Sequence, residues 1–352
     1  DRAPACDIPR ALVRRVPPRM LRERPPGLPA RSRGAGTVSG APLKLGTRGS
    51  ALAMTQSRSV AELLRSASGR PVELVSVTTH GDTATGPLAS LGGTGVFATA
   101  LREALLAGEC DFIVHSLKDL PNAAYPGITL IAVPERESAR DALCTREAAG
   151  LAALPAGARV GTGSPRRAAQ VLSRRPDLVV TDIRGNVDTR LRKVADGDYD
   201  AIVLAEAGLR RIGRDGEIRE TFDLGQWPSS AGQGALAIEM RTDQLSTELG
   251  TLLRGLNNPH AELTALVERA VLAELEAGCA APVGISARED GDDVVLLAQV
   301  YRHDGGRSIR VEDAVPSALV AEPAGRAAFA ARIVAELRAR GVDELAEGGT
   351  IS

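Results

Sequence analysis

From Leu43 onward the chain alternates short apolar runs with longer amphipathic stretches, and this alternation is what most restricts the folds open to it. "LKLGT" and "VELVSV" read as strands, with "ALAMTQSRSVAELLRSA" as the helix between them. "FATALREALLAG" reads as a helix ending at Gly108, followed by the buried strand "DFIVH". "ARVGT", a helix from Pro165, "LVVTDI", the helix "VDTRLRKVADG" and "DAIVLA" continue the pattern. Strands separated by helices make mostly parallel sheets, so the fold class is α/β. A short echo, "LGTRGSALA" at 45–53 and "VGTGSPRRA" at 160–168, implies two lobes with similar openings. Beyond Asn257 come a long helix, "HAELTALVERAVLAELEAG", two antiparallel strands, "DVVLLAQVY" and "SIRVEDAV", and a helix from Ala324 to Arg340. These read as a smaller α+β domain.

Residues 1–42 differ from the rest. They hold nine arginines, three acids and eight of the 21 prolines, a net charge of +6 against about −7 for the remainder. With no sustained helical or strand period, this Arg/Pro-rich tail is expected to be disordered and is read as an upstream extension rather than an organelle leader. The chain shows no secretory apolar region and no run long enough to span a membrane. At 2% aromatic and with an acidic body, it offers few rings to stack on bases, so no nucleic-acid partner is expected. Cys6, Cys110, Cys144 and Cys279 are far apart with no CxxC spacing, which argues against a zinc site and a disulfide scaffold and fits a cytoplasmic protein without a metal.

Chemistry concentrates where strands end. Arg48 follows "LKLGT", Arg166 and Arg167 follow "ARVGT", Arg184 follows "LVVTDI", and Arg210 and Arg211 follow "DAIVLAEAG". Ligands of open α/β sheets bind at such carboxyl ends, and forked guanidiniums there suit carboxylates or phosphates. Ser164 and Pro165 are good N-cap and N1 residues, yet two arginines follow them at the positive end of a helix. Such a pair is expected to repel itself unless an anionic ligand relieves it. In "VHSLKDLP", Ser116, Lys118 and Asp119 again fall at a strand exit, as a surface ion pair or as a carboxylate that steadies cationic charge and moves protons. Cys279, in a loop after Gly278, is either a buried small hydrophobe or a functional thiol. "LGGTGVF" lacks the lysine and spacing of a phosphate loop and reads as a lid or turn, and "SAGQGALAIE" reads as a hinge before a strand.

Seven segments in order, "GTRGSALA", "THGD", "VHSLKDLP", "GTGSPRR", "RGNVDTRL", "AGQGA" and "GCAAPVG", resemble those of the porphobilinogen deaminase (hydroxymethylbilane synthase) family from about Leu43 to the C-terminus. The resemblance implies three domains, the first two like class II periplasmic binding proteins with mixed, mostly parallel sheets. Their expected bounds are 43–136 plus 236–254, then 137–235, then an α+β domain over 255–352 that carries the cofactor cysteine. It implies a transferase that condenses four porphobilinogen molecules head to tail, with loss of ammonia, to hydroxymethylbilane in heme biosynthesis. By the same resemblance Cys279 holds a dipyrromethane cofactor through a thioether and Asp119 is the catalytic carboxylate. Ser116, Lys118, Thr162, Ser164, Arg166, Arg167 and Arg184 are implied to bind the cofactor, and Arg48, Ser50, Arg184, Arg190 and Arg211 the substrate. His80, before Gly-Asp, and Thr94, in the glycine loop, stand where basic residues are frequent in the family, which implies less positive charge in the lid. Nothing in the sequence demands more than a monomer. The rival reading is a non-catalytic, two-lobed solute-binding protein, which explains anion-binding arginines but leaves Cys279 and the third domain without a role.

Overall fold

Strand, serine-capped helix, strand is the first unit of the folded chain, and its local chemistry explains it. Ser50, in extended backbone, accepts from the Ala53 amide at 3.3 Å, and Gly69 ends the helix at φ +73°, so α1 spans Ala51–Ser68 between β1 (Leu43–Thr47) and β2 (Val72–Ser76). In α1, Val60, Ala61 and Leu64 turn one face onto Leu45, Phe112 and Ile238 of the sheet. The computed structural model describes residues 41–77, 95–146, 150–276 and 281–345. Nearly all of the tail, His80, Thr94 and Cys279 lie outside those residues.

After α2 (Gly95–Leu106) come β3 (Phe112–Ser116) and β4 (Ile128–Ala132), and the first sheet has the order β2-β1-β3-β10-β4, with β10 spanning Leu236–Arg241. β1 pairs parallel with β2 and β3, and β10 lies antiparallel between β3 and β4. The second sheet repeats this plan. Its order is β7-β6-β8-β5-β9, from β5 (Asp141–Thr145), β6 (Arg159–Gly161), β7 (Val179–Thr181), β8 (Ala201–Ala205) and β9 (Glu220–Thr221). β6 pairs parallel with β7 and β8, and β5 is antiparallel between β8 and β9. The sequence echo therefore has a structural meaning: β1–α1 and β6–α3 (Pro165–Arg174) hold equivalent places in the two sheets, each helix capped by a serine. In both sheets the antiparallel strand is the one that follows a crossing from the other sheet. The helices α4 (Val187–Ala195), α5 (Glu206–Arg211) and α6 (Glu248–Arg254) complete this part.

The remainder is a three-stranded antiparallel meander, β11 (Val283–Asp290), β12 (Asp293–Tyr301) and β13 (Ser308–Pro316), with α7 (Pro259–Glu274), α8 (Ser317–Ala321) and α9 (Pro323–Ala339). Ile285, Leu296 and Val311 of the sheet meet Val271 of α7 and Phe329 and Ile333 of α9 in one core. The fold is thus α/β in two mixed sheets, each with four of five strands running one way, followed by an α+β part. Periodicity located β12 to the residue but left β4, β5, β9 and β11 unread. β9 has only two residues, and β5 opens on a charged side chain although every position in it is buried.

The two crossings touch where the Glu137 amide donates to the Gly234 carbonyl at 3.2 Å. Gly234 has φ +86°, and a Cβ there would lie 2.3 Å from the Glu137 carbonyl oxygen. Gly291, in the β11–β12 turn, has φ +62°, and a methyl group added there would meet nothing within 4 Å among the described residues. Gly291→Ala is expected to cost only the left-handed backbone penalty, about 1–2 kcal/mol. Gly234→Ala must in addition displace backbone, so urea unfolding should show the larger loss for it; equal losses would contradict this packing.

Candidate active site

Strand β6 delivers the chain into α3 through Thr162 and Ser164. The Thr162 hydroxyl accepts from the Ser164 amide at 3.2 Å, and Ser164 is the N-cap, accepting from the Arg167 amide at 3.5 Å. Pro165 fits the first turn, where no amide donor is needed. Arg166 and Arg167 then point into the protein, 3% and 7% exposed. Asp141, the fully buried first residue of β5, meets both of them. Its Oδ1 accepts from Arg167 Nε and Nη2 at 3.0 and 2.7 Å and from Gln233 Nε2 at 2.8 Å. Its Oδ2 accepts from Arg166 Nη1 at 2.7 Å and from the indole Nε1 of Trp227 at 2.9 Å. Burial alone would raise the Asp141 carboxyl, but the two guanidiniums outweigh it and hold the group far below the usual carboxylate range. This corrects the expectation that only a ligand relieves the arginine pair, because the protein supplies one carboxylate of its own.

One carboxylate between two guanidiniums leaves a positive charge uncompensated. Arg167 is fully engaged, with Nη1 on the Val203 carbonyl at 3.3 Å and Nη2 also on Gln233 Oε1 at 3.2 Å. Arg166 is not. Its Nη1 serves Asp141, Gln170 and the Pro228 carbonyl, while its Nε and Nη2 are buried without a partner among the described residues. Buried donors left unmade are costly, about 1–3 kcal/mol each, so their persistence needs a reason.

The other lobe reaches the same place through Gln233. Lys118 lies in the turn Leu117–Asp119 that follows β3, and its Nζ donates to Gln233 Oε1 at 3.3 Å. Burial pushes the Lys118 ammonium down to about 8, against the neighbouring Asp119 carboxylate, which raises it. Asp119 is exposed at the end of that turn. Ser116, at the last position of β3, accepts from Gln56 Nε2 at 2.8 Å, and Arg48 and Ser50 leave the adjacent strand β1. Arg211 Nη2 donates to the Gly234 carbonyl at 2.6 Å, and half-buried Arg190 donates from Nε to the Gly185 carbonyl at 2.8 Å. Arg184 is exposed and paired with Asp182 at 2.8 Å, apart from the Asp141 network. Lys118, Arg166, Arg167 and Arg211 are thus joined by hydrogen bonds to Asp141 or to the "AGQGA" segment. Cys279 lies outside the described residues. Among the described residues no group of His, Cys, Asp and Glu could hold a metal ion.

Sequence reasoning missed Asp141, Gln233, Gln170 and Trp227. Only weak signals marked them: an acid opening an otherwise apolar strand, and an amide flanked by glycines in a segment read as a hinge. Their partners are fixed by tertiary structure, which no local pattern encodes.

A family model described as "Porphobilinogen deaminase, dipyromethane cofactor binding domain" matches residues 43–248, and one described as "Porphobilinogen deaminase, C-terminal domain" matches residues 262–326. The porphobilinogen deaminase of Leifsonia xyli subsp. xyli is 52% identical over 310 residues, covering 86% of this chain and 94% of its own. That of Thermobifida fusca is 52% identical over 279 residues, covering 79% and 87% respectively. Among solved structures, the methionine-binding protein MetQ aligns with 65% of this chain and 93% of its own, at 13% identity and a TM-score of 0.40.

Removing the Asp141 charge leaves two buried guanidiniums without their anion, a change that costs about 3–5 kcal/mol. Asp141→Asn is therefore expected to lower the denaturation midpoint sharply at neutral pH. Because the folded-state carboxyl is depressed, its contribution is full above about pH 4 and is lost as pH falls below that value. The gap between wild type and variant should accordingly narrow in acid, and a pH-independent gap would contradict the pairing.

Proposed function

The chain belongs to the porphobilinogen deaminase family, and from that premise we propose how its own residues carry the reaction. It is an enzyme, a transferase that condenses four porphobilinogen molecules head to tail, with loss of ammonia, to hydroxymethylbilane, and its cofactor is dipyrromethane. The solute-binding reading is not favoured. The observation that carries the assignment of residues is Arg166: a buried guanidinium at a helix amino terminus with two unused donor nitrogens, beside a carboxylate that compensates only half of the arginine pair.

That arrangement fits the cofactor. Each pyrrole brings two carboxylates, which suit both the positive helix end and a forked guanidinium. In this reading Arg166, Thr162 and Ser164 receive cofactor carboxylates together with Ser116, Lys118 and Arg184. Arg167, already tied to Asp141 and Gln233, contributes its charge and holds the site's shape. Arg48, Ser50, Arg184, Arg190 and Arg211 receive those of the substrate. Cys279 is the anchoring thiol, and when bound the dipyrromethane supplies the free ring position on which the chain grows. The cysteine does no bond-making at each addition, which is why it can belong to another domain.

Each addition breaks the aminomethyl C–N bond of porphobilinogen, releases ammonia, forms a C–C bond at its methylene carbon and discards a ring hydrogen as a proton. The rings become transiently cationic along this course. Asp119, exposed beside Lys118, faces that charge and takes up the proton. We assign the three domains as 43–136 with 236–254, 137–235, and 255–352, supported by the return of β10 to the first sheet and by the separate α+β core. We take the working form to be a cytoplasmic monomer that binds no nucleic acid, the last of these supported by the acidic body and scarce aromatics; among the described residues, no helix is long and apolar enough to cross a membrane.

Two measurements test these roles. Asp119→Asn should retain the cofactor and lose about 10²–10⁴-fold in turnover, and near-normal turnover would remove its catalytic role. Lys118 is charged below about pH 8 and loses its proton above, so the porphobilinogen concentration needed to load the cofactor onto apoprotein should rise above pH 8. Lys118→Arg should flatten that rise; an unchanged pH profile in the variant would show that Lys118 holds no carboxylate.

A further inference from the structure

The turn that bears Lys118 and Asp119 is held by a helix of the third part. In α7, Arg269 donates from Nη1 to the carbonyls of Leu117 and Leu120 at 3.0 and 2.9 Å, and from Nη2 to the Pro121 carbonyl at 2.8 Å. One guanidinium thus gathers the start of the turn and the two residues that leave it. Besides this grip, the Leu117 amide donates to the Ala235 carbonyl at 3.0 Å, the Leu120 amide closes onto the Leu117 carbonyl at 3.2 Å, and the Leu117 and Leu120 side chains are buried. A planar fork with five donors can hold several carbonyls at fixed angles, which the point charge of a lysine cannot.

The residue before it acts on the other side of the same contact. Fully buried Glu268 accepts from Arg136 Nη1 and Nη2 at 3.0 and 2.8 Å, and from the Gly232 amide at 2.7 Å. Arg136 in turn donates from Nε to the Gln233 carbonyl at 2.9 Å. Two consecutive residues of α7 therefore fix the backbone on both sides of the Lys118–Gln233 hydrogen bond.

We propose that Arg269 is a positioning residue for the condensation: by gripping the backbone of residues 117–121 it sets where the Asp119 carboxylate stands. The helix that leads toward Cys279 then also fixes the turn that works on the growing chain. This inference rests on the reading of Asp119 as the catalytic carboxylate. A misplacement of about 1 Å in a reacting group is enough to cost on the order of 10²-fold in rate.

The test is Arg269→Gln in the full chain, with Arg269→Lys and Asp119→Asn beside it. Arg269→Gln should lower kcat at least tenfold with the KM for porphobilinogen within twofold, as expected for a group that acts on the transition state through another. Amide exchange at Leu120 should quicken at least tenfold while exchange at Val311, in the third sheet, stays as in wild type. Arg269→Lys should recover part of kcat. A kcat within twofold of wild type in folded Arg269→Gln, or a loss of kcat matched by faster exchange throughout the third part, overturns the proposal. If the Gln variant does not fold, the same limits apply to Arg269→Lys, with kcat between that of wild type and one tenth of it supporting the proposal and an unchanged kcat overturning it. Near-normal turnover in Asp119→Asn would instead overturn the role of Asp119 itself, whatever Arg269 does.

Discussion

The buried pairing of Asp141 with Arg166 and Arg167 is the interaction on which the site depends. Taking three charged groups out of water is expensive, and such a cluster is weak evidence for stability as such. What it fixes is geometry and sign. Asp141 ties the first residue of β5 to the first turn of α3, enlists the indole of Trp227, and aligns Gln233, which spans to Lys118. Because one anion faces two cations, the cluster stays positive where a helix amino end already favours anions. A polyanionic pyrrole chain is what such a surplus can hold.

The same device recurs. On β10, the strand equivalent to β5, Glu239 is bound by Arg102 through Nε at 2.9 Å and Nη2 at 2.6 Å and lies 3.4 Å from His115. Burial would raise its carboxyl, but His115 and Arg102 bring it down to about 2. On α7, Glu268 binds Arg136. Each of the three parts thus has a buried carboxylate gripping arginine, and two of these sit on the antiparallel strands that the chain enters after crossing between sheets. Such pairs tolerate little misalignment, so they set register between segments far apart in sequence, where apolar packing alone leaves more latitude.

Much of this was legible in the sequence because it is local. Ser164 caps the helix it precedes, as its place before Pro165 indicated, and the apolar run "DVVLLAQVY" marks β12. The echo of residues 45–53 at 160–168 pointed to two lobes, and both copies occupy the same place in their sheets. The arginines at strand ends could be counted, but not their partners: Asp141 lies 25 residues before Arg166, and Gln233 lies 66 after Arg167. Local patterns therefore showed a cationic site but not which arginine keeps unused donors. The division of labour between Arg166 and Arg167 follows only from the network around Asp141, and the chemistry itself came from the ordered motifs rather than from periodicity.

The proposed role of this positive site is to work on a pyrrole chain anchored to Cys279. The intact mass of purified protein tests it most directly, read on wild type and on Cys279→Ser. Wild type should be heavier than its polypeptide by two linked pyrrole units, and Cys279→Ser should have the bare polypeptide mass. An unmodified mass for folded, active wild type, or an adduct that survives in Cys279→Ser, would contradict it.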